Sequence, residues 1–270
     1  MPRTPGGAPA PTLTVAVLTC NEARRIADCL RSADFADQLL VVDSGSEDDT
    51  VAIARGLGAE VHVHEDWQGF AVQRNRLLAH ARGDYIFFLD ADEVMTPAFG
   101  QELRAIVRAG QPGVWTIRWR MVAFGQELRF FRAQTRIERL FTRALVREFS
   151  GVVHEQAQLQ PLPDGAQPPR QHMRSRLLHY SRDTVHGSLQ KLTQYVMLGA
   201  AKRRAAGQRG GVLRGLASGS SMFVRLYVLQ LGFLCGGAGF LYCLFVALEG
   251  FFRYAALHYD RATLTERVSR

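Results

Sequence analysis

Lysine is almost missing from this 270-residue chain. Of 33 basic residues only Lys191 and Lys202 are lysines, and the rest are arginines. Arginine suits bidentate contacts to phosphate, although a GC-rich genome supplies the same bias. With a formal charge of +8 and a pI near 9.8, an anionic partner is expected. The N-terminal half has no basic patch interleaved with aromatics and no reading helix, so nucleic acid is not expected to be that partner. Cysteine is scarce too: Cys20, Cys29, Cys235 and Cys243 show no C-x-x-C spacing. That argues against zinc and a disulfide framework, and for a reducing compartment. No G-x-G-x-x-G follows the first apolar run, where Thr19-Cys20-Asn21-Glu22 stands instead, and no G-x-x-x-x-G-K-[ST] loop occurs. A dehydrogenase-type dinucleotide site and a P-loop are thereby excluded. Residues 1–11 read as a disordered leader, and no apolar h-region of the signal-peptide kind follows them, so no secretory signal is expected.

What is present begins with Tyr85-Ile86-Phe87-Phe88-Leu89, an apolar run that ends in Asp90-Ala91-Asp92-Glu93. A buried strand that delivers carboxylates to a sheet edge can hold a divalent cation. The same pattern also fits a solvated acidic turn. Before it, Leu13 to Leu18, Leu39 to Val42 and Glu60 to His64 read as three further strands. Helical spacing runs from Ala23 to Ser32, from Ser46 to about Leu57 and from Gly69 to Ala81. Ser46 with Asp49 has the form of a capping box for the second helix. Four strands alternating with three helices predict an α/β fold with a mostly parallel sheet and helices on both faces. Three of the strands end in polar clusters, Thr19/Asn21/Glu22, Asp43/Ser44 and Asp90/Asp92. In such sheets the ligand site lies at the carboxyl ends of the strands, so these clusters predict a nucleotide site. With no glycine-rich cradle, phosphates there must be met by a metal and by arginine.

The residues also carry a resemblance. Thr19-Cys20-Asn21-Glu22, Asp43-Ser44-Gly45-Ser46-x-Asp48-x-Thr50, Gln73-Arg74-Asn75 and Gly83-Asp84-Tyr85 leading into Asp90-Ala91-Asp92-Glu93 resemble, in order and spacing, family 2 glycosyltransferases. These are inverting enzymes of the Rossmann-like GT-A fold. Trp67-Gln68-Gly69-Phe70, Arg139-Leu140-Phe141, Val153-His154-Glu155 and Leu231-Gly232-Phe233-Leu234 resemble a bacterial branch that includes lipopolysaccharide-core glucosyltransferases. The resemblance implies a UDP-hexose donor, with glucose the expected hexose, and Mg2+ or Mn2+. It puts Thr19, Asn21 and Glu22 around the nucleotide, Asp43 on the base and Arg74 near the base or diphosphate. Asp90 would contact the ribose and the metal shell, Asp92 would bind the metal directly, and His179 would complete the shell, with His154 an alternative. Glu22 and Ser46 also fit plain helix-start roles, Asn75 a bond to backbone within its helix, and Glu93 the start of the next helix.

From Gly113 the pattern changes to alternating strands with Pro- and Gly-rich loops. The domains expected are 12–112 for the nucleotide sugar, 113–185 for acceptor and catalysis, and a helical region over 186–270. Transfer to a hydroxyl needs a base to take its proton, and Glu155 is the candidate. A polyprenyl phosphate acceptor would need none. A catalytically degenerate, membrane-docked scaffold is the reading outside the enzymes.

The last third begins with a helix over His186 to Ala206 that ends in basic residues. Gly207 to Gly219 then reads as a flexible link. Between Arg225 and Glu249 there is no charge at all. Gly232, Gly236, Gly237 and Gly239 divide this run into two helical pieces, Phe223 to Leu234 and Phe240 to Tyr254. A spanning helix, a hairpin in the cytoplasmic leaflet and a helical pair packed on the sheet or on a second subunit all fit. The basic flank favours the membrane-associating hairpin. The expected partners are a nucleotide sugar, a lipid-linked saccharide, a membrane surface and another copy of the chain through these helices. The expected location is the cytoplasmic face of the bacterial inner membrane. Cys235 stands where the related branch carries Asp.

Overall fold

A computed structural model describes residues 10–132, 136–151, 156–262 and 264. The expectations for Val153, His154 and Glu155, and for residues 1–9, lie outside the described residues. The chain forms two compact units. The first holds the chain up to Trp119 and the later stretch that ends at Leu178; the second begins at Arg120 and takes in everything from His179 onward.

The first unit is built on β1 (Leu13–Thr19), β2 (Gln38–Asp43), β3 (Glu60–Val63) and β4 (Tyr85–Asp90). These alternate with α1 (Ile26–Arg31), α2 (Thr50–Gly56) and α3 (Phe70–His80). A two-residue strand, β5 (Glu93–Val94), and α4 (Pro97–Ala109) follow. Then come β6 (Val114–Ala123), β7 (Gln126–Glu127), β8 (Arg136–Thr142), β9 (Val146–Ser150), β10 (Gln156–Leu159) and β11 (Arg170–Arg182). The main sheet has the order β3-β2-β1-β4-β8-β6-β11-β5. Strands β3, β2, β1 and β4 are parallel, and β8 joins β4 antiparallel. β7, in the second unit, pairs with the end of β6.

Strand alternation splits the core into two faces. Val15, Val17, Val41, Phe87 and Leu89 pack with Ile26, Leu30, Phe99 and Leu103 of α1 and α4. Ala16, Leu40, Val42, Ile86 and Phe88 pack with Leu77 of α3 and Phe149 of β9. Both faces are covered, which explains why these strands read as continuous apolar runs. The Gly83-Asp84 pair seats β4 on β1. The Gly83 N–H donates to Thr14 Oγ1 at 2.9 Å, and a Cβ there would lie 2.6 Å from the Thr14 nitrogen. Asp84 accepts the Thr12 N–H at 2.8 Å and its hydroxyl at 2.9 Å, and these bonds hold its carboxyl below the usual range.

The second unit is mostly helical: α5 (Val185–Ala205), α6 (Val212–Phe223), a π-helical turn (Val224–Leu229), a short 3-10 turn (Gly232–Cys235) and α7 (Gly236–Tyr259). The expected link over Gly207 to Gly219 is therefore corrected, because helix begins at Val212. Two glycines there serve packing, not flexibility. A Cβ at Gly215 would lie 2.7 Å from the Phe251 carbonyl oxygen, and one at Gly219 would lie 3.0 Å from that of Ala247. Small residues let α6 approach the α7 backbone this closely. The hairpin pieces are longer than expected, with arms over 212–229 and 236–259. The break between them is marked by left-handed φ values of 60° at Leu231 and 59° at Gly236. Among the described residues one helical stretch, Gly232–Tyr259, is long and apolar enough to cross a membrane, with mean hydropathy 1.7.

Gly219→Val should wedge α6 from α7 and cost about 1–3 kcal/mol by overpacking. Hydrogen exchange should quicken in α6 and α7 while β1 to β4 keep their protection. Unchanged exchange in α6 would contradict this account of the glycines.

Candidate nucleotide and metal site

The register of the parallel strands sets Thr19 beside Asp43 and Leu18 beside both Val42 and Asp90. The polar ends of β1, β2 and β4 thus share one edge. From β1 the chain winds to β2 and β3 on one side, then returns to β4 on the other. That reversal opens a crevice at the carboxyl ends of β1 and β4, the place where open α/β sheets bind ligands.

The turns after β1 and β2 are stitched together. Asn21, in a left-handed conformation (φ 55°), donates its N–H to Ser46 Oγ at 2.8 Å and accepts the Glu47 N–H at 2.8 Å. The Glu22 N–H donates to Thr50 Oγ1 at 2.8 Å and the Ala23 N–H to Asp48 Oδ2 at 3.1 Å. Asp43 is fully buried and accepts the Gly45 and Ser46 N–H groups at 3.0 and 2.8 Å and the Ser46 hydroxyl at 2.5 Å. The expected capping box is therefore corrected. Asp49 precedes α2 without a side-chain cap, and the Ser46 hydroxyl is occupied by Asp43 and Asn21. Asp48 does the capping work by accepting the Thr50 N–H at 3.0 Å. Its carboxyl lies below the usual range, because the bonds from Thr50 and Ala23 outweigh the upward effect of burial, the largest single cause. Thr19 differs from these neighbours. It is buried and its hydroxyl has no hydrogen-bond partner among the described residues.

The end of β4 is organised by a residue whose role the sequence did not reveal. Arg139 on β8, 2% exposed, forks onto Asp90: Nη1 donates to Oδ1 at 2.9 Å and Nη2 to Oδ2. The same Nη2 donates to Glu93 Oε1 at 3.0 Å. Glu93 is fully buried and also accepts the Trp119 indole N–H at 2.6 Å and the Asp90 backbone N–H at 2.9 Å. Glu93 therefore does not start the next helix. It lies in β5, and α4 begins at Pro97, where Thr96 Oγ1 accepts the Phe99 N–H at 3.2 Å. Burial pulls the Arg139 pKa down, but Asp90 and then Glu93 raise it by more, so the cation is firmly held. The thiol of Cys29 senses the same charges: burial, then Glu93, Asp90 and Asp92 push its pKa well up.

Helix α3 supplies the other flank. Arg74 Nη2 lies 3.9 Å from Asp90 Oδ1, with its guanidinium over the rings of Phe88 and Phe149. Gln73, fully buried, donates to Ser44 Oγ at 3.0 Å. Asn75 does not bond its own helix: its amide exchanges bonds of 2.9 and 2.7 Å with the backbone of Phe149 in β9. The Gln-Arg-Asn triplet thus ties α3 to the β2 turn, to Asp90 and to β9.

Asp92 is half-buried in the turn between β4 and β5. Asp90 and Asp92 offer only oxygen donors, which suits Mg2+ or Mn2+. Each Asp90 oxygen that accepts an Arg139 N–H keeps a second lone pair. Two protein carboxylates with substrate phosphates and water are a usual Mg2+ shell, so these residues fit such an ion. No group of three His, Cys, Asp or Glu side chains able to hold a metal occurs among the described residues. His179 is half-buried on β11 in the second unit, and Glu155 lies outside the described residues.

Residues 14–158, more than half of the chain, match the sequence description of Glycosyl transferase family 2. The chain belongs to that family. A TPR repeat-containing protein of Synechococcus elongatus is 33% identical over 151 residues, which are 55% of this chain and 36% of that protein. The chain therefore matches only about a third of that relative's length. Lipopolysaccharide core biosynthesis glycosyltransferase LpsC of Rhizobium meliloti is 26% identical over 263 residues, 94% of each chain. Among solved structures, S. aureus TarS in complex with UDP-GlcNAc superposes with a TM-score of 0.46 at 20% identity, covering 66% of this chain and 60% of that one. Family membership and the parallel sheet agree with the expected GT-A class.

Proposed function

We propose that this family 2 member is an inverting glycosyltransferase that moves a hexose from a UDP-sugar, glucose being the expected hexose, to a lipid-linked saccharide such as lipopolysaccharide core. The observation that carries the reading is the end of β4. There a buried Arg139–Glu93 lock fixes Asp90 at the crevice between β1 and β4, with Asp92 two residues on. Preorganised carboxylates at that edge are what a diphosphate with its cation requires. The relation to LpsC along nearly the whole chain supports the acceptor class.

Asp90 and Asp92 would hold the Mg2+ or Mn2+, and the cation, when bound, offsets charge on the departing diphosphate. Arg74, set on two aromatic faces, adds a fixed positive charge beside Asp90. Thr19, Asn21, Glu22 and Asp43 would line the nucleoside, with Asp43 acting largely by shaping the turn it bonds. Glu155 would take the proton from the acceptor hydroxyl. Residues 12–112 would serve the nucleotide sugar, 113–185 the acceptor and 186–270 the membrane. Such an acceptor sets the reaction at the cytoplasmic face of the bacterial inner membrane.

Screening UDP-hexoses with Mn2+ for donor hydrolysis and for transfer to a lipid-linked glycan tests this reading. Glu155→Gln should lower transfer by about 10²–10⁴-fold while UDP still binds. Normal transfer by that variant would remove Glu155 as base and favour an anionic acceptor such as polyprenyl phosphate. Thr19→Val should leave stability unchanged or higher, because it deletes a buried hydroxyl without a partner. It should weaken UDP by about 2- to 13-fold, the worth of one hydrogen bond. Unaltered affinity would take Thr19 out of the nucleotide contact.

A further inference from the structure

We propose that the first arm and tip of the C-terminal hairpin dock on an anionic phospholipid leaflet, with the groove between α6 and α7 taking one acyl chain. The inference rests on the reading of a lipid-linked acceptor only for its purpose; the surface itself supplies the argument. The groove is a cavity of about 520 Å3 whose wall is apolar apart from Ser220, with Leu216, Phe223, Leu244, Leu248 and Phe251 as its larger side chains. A volume of several hundred Å3 with such a lining is typical of a ligand site. Around it large apolar side chains stand in solvent, including Leu213 at 82%, Leu229 at 68% and Leu216 at 51% exposure, with Val224, Val228 and Phe233 beside them in sequence. An exposed apolar surface on this scale marks an interaction site.

Charge selects the partner. Between Thr184 and Leu248 there are seven Lys or Arg residues and no Asp or Glu. Arg209, Arg214 and Arg225 are exposed on or next to the first arm. A polybasic segment joined to an apolar face recognises anionic headgroups, each cation contributing about 1 kcal/mol. The second arm argues for lying in the leaflet over crossing it. α7 carries Glu249 and Arg253, and Glu249 bonds Arg182 at 2.5 Å within the protein. Such groups at bilayer depth would be costly, whereas among the described residues eight exposed large apolar residues lie on the first arm and the tip against three, Phe240, Phe252 and Tyr259, on α7.

The test uses the full chain with vesicles of phosphatidylcholine alone or mixed with phosphatidylglycerol, without sugar donor or acceptor. Failure to bind then leaves the glycosyltransferase reading intact, and loss of transfer leaves docking intact. Wild type should sediment with the mixed vesicles and far less with the neutral ones. Leu213→Gln/Leu229→Gln should lose binding by about tenfold or more, since each leucine forfeits its apolar transfer. Arg214→Gln/Arg225→Gln should lose roughly fivefold per arginine on anionic vesicles only. Leu216→Trp, at an exposed position in the groove, should shift its emission to the blue on binding and be quenched by brominated acyl chains. Four results would overturn the proposal: no sedimentation with either vesicle, equal binding to both, a lipid-free dimer that already shifts the Leu216→Trp emission, or protease-accessible hairpin sequence on both sides of a sealed membrane.

Discussion

Replacing Arg139 with methionine should cost the first unit about 3–5 kcal/mol, the penalty for breaking a buried ion pair from one side. The cation is 2% exposed and serves two carboxylates, of which Glu93 is fully buried. Without it Glu93 keeps the Trp119 indole and the Asp90 N–H but loses the guanidinium that lies 3.0 Å from its carboxylate. Exposed pairs set the contrast. Arg170 and Glu138, 55% and 30% exposed, meet at 2.8 Å, and Arg170→Met should cost no more than about 1 kcal/mol. Arg139→Met with Glu93→Gln should recover part of the loss, because the buried carboxylate that the guanidinium balanced is then neutral. Urea unfolding followed by tryptophan emission reads this directly, since Trp67, Trp115 and Trp119 all belong to the first unit. A loss for Arg139→Met no larger than that for Arg170→Met would mean that the lock does not hold the end of β4.

The second large effect separates Asp92 from Asp90. Asp92→Asn keeps the shape of a half-buried turn residue and should change stability by no more than about 0.5 kcal/mol. Its transfer rate should fall by about 10²–10³-fold or more, the scale for removing one preorganised electrostatic contact. Asp90→Asn should lose activity and stability together, because Asp90 is also the bidentate partner of Arg139. Mn2+ titration of both variants by calorimetry, beside their urea midpoints, tests the division. An active Asp92→Asn would remove that residue from the metal site, and a fully stable Asp90→Asn would contradict the dual role.

The elements that position this site were legible because their signals are local. β1, β2 and β4 are apolar on both faces and stop at polar residues, so strand and rim could be read together. What misled was local likeness without knowledge of the partner. Ser46 with Asp49 has the spacing of a capping box, yet the Ser46 hydroxyl is taken by Asp43 and the Asn21 N–H. Glu93 looks like a helix start, but its cation comes from Arg139, 46 positions away, and Thr96 and Pro97 open α4 instead. Gly215 and Gly219 read as a loop because glycine is a poor helix former. The α7 backbone they pack against, more than 25 residues on, reverses that preference. For Glu93 and the two glycines the deciding contact is remote in sequence, and for Ser46 a carboxylate three positions back joins the distant Asn21 N–H in overriding the capping pattern.

The central claim is that the edge formed by β1, β2 and β4 holds a nucleoside diphosphate through a divalent cation. Calorimetric titration of the wild-type chain with UDP, with Mn2+ and then with the metal chelated, tests it most directly. Saturable UDP binding with Mn2+, weakened at least about tenfold without it and made metal-independent by Asp92→Asn, is the predicted result; tenfold corresponds to 1.4 kcal/mol of coupling. No UDP binding under either condition by a folded chain would contradict it.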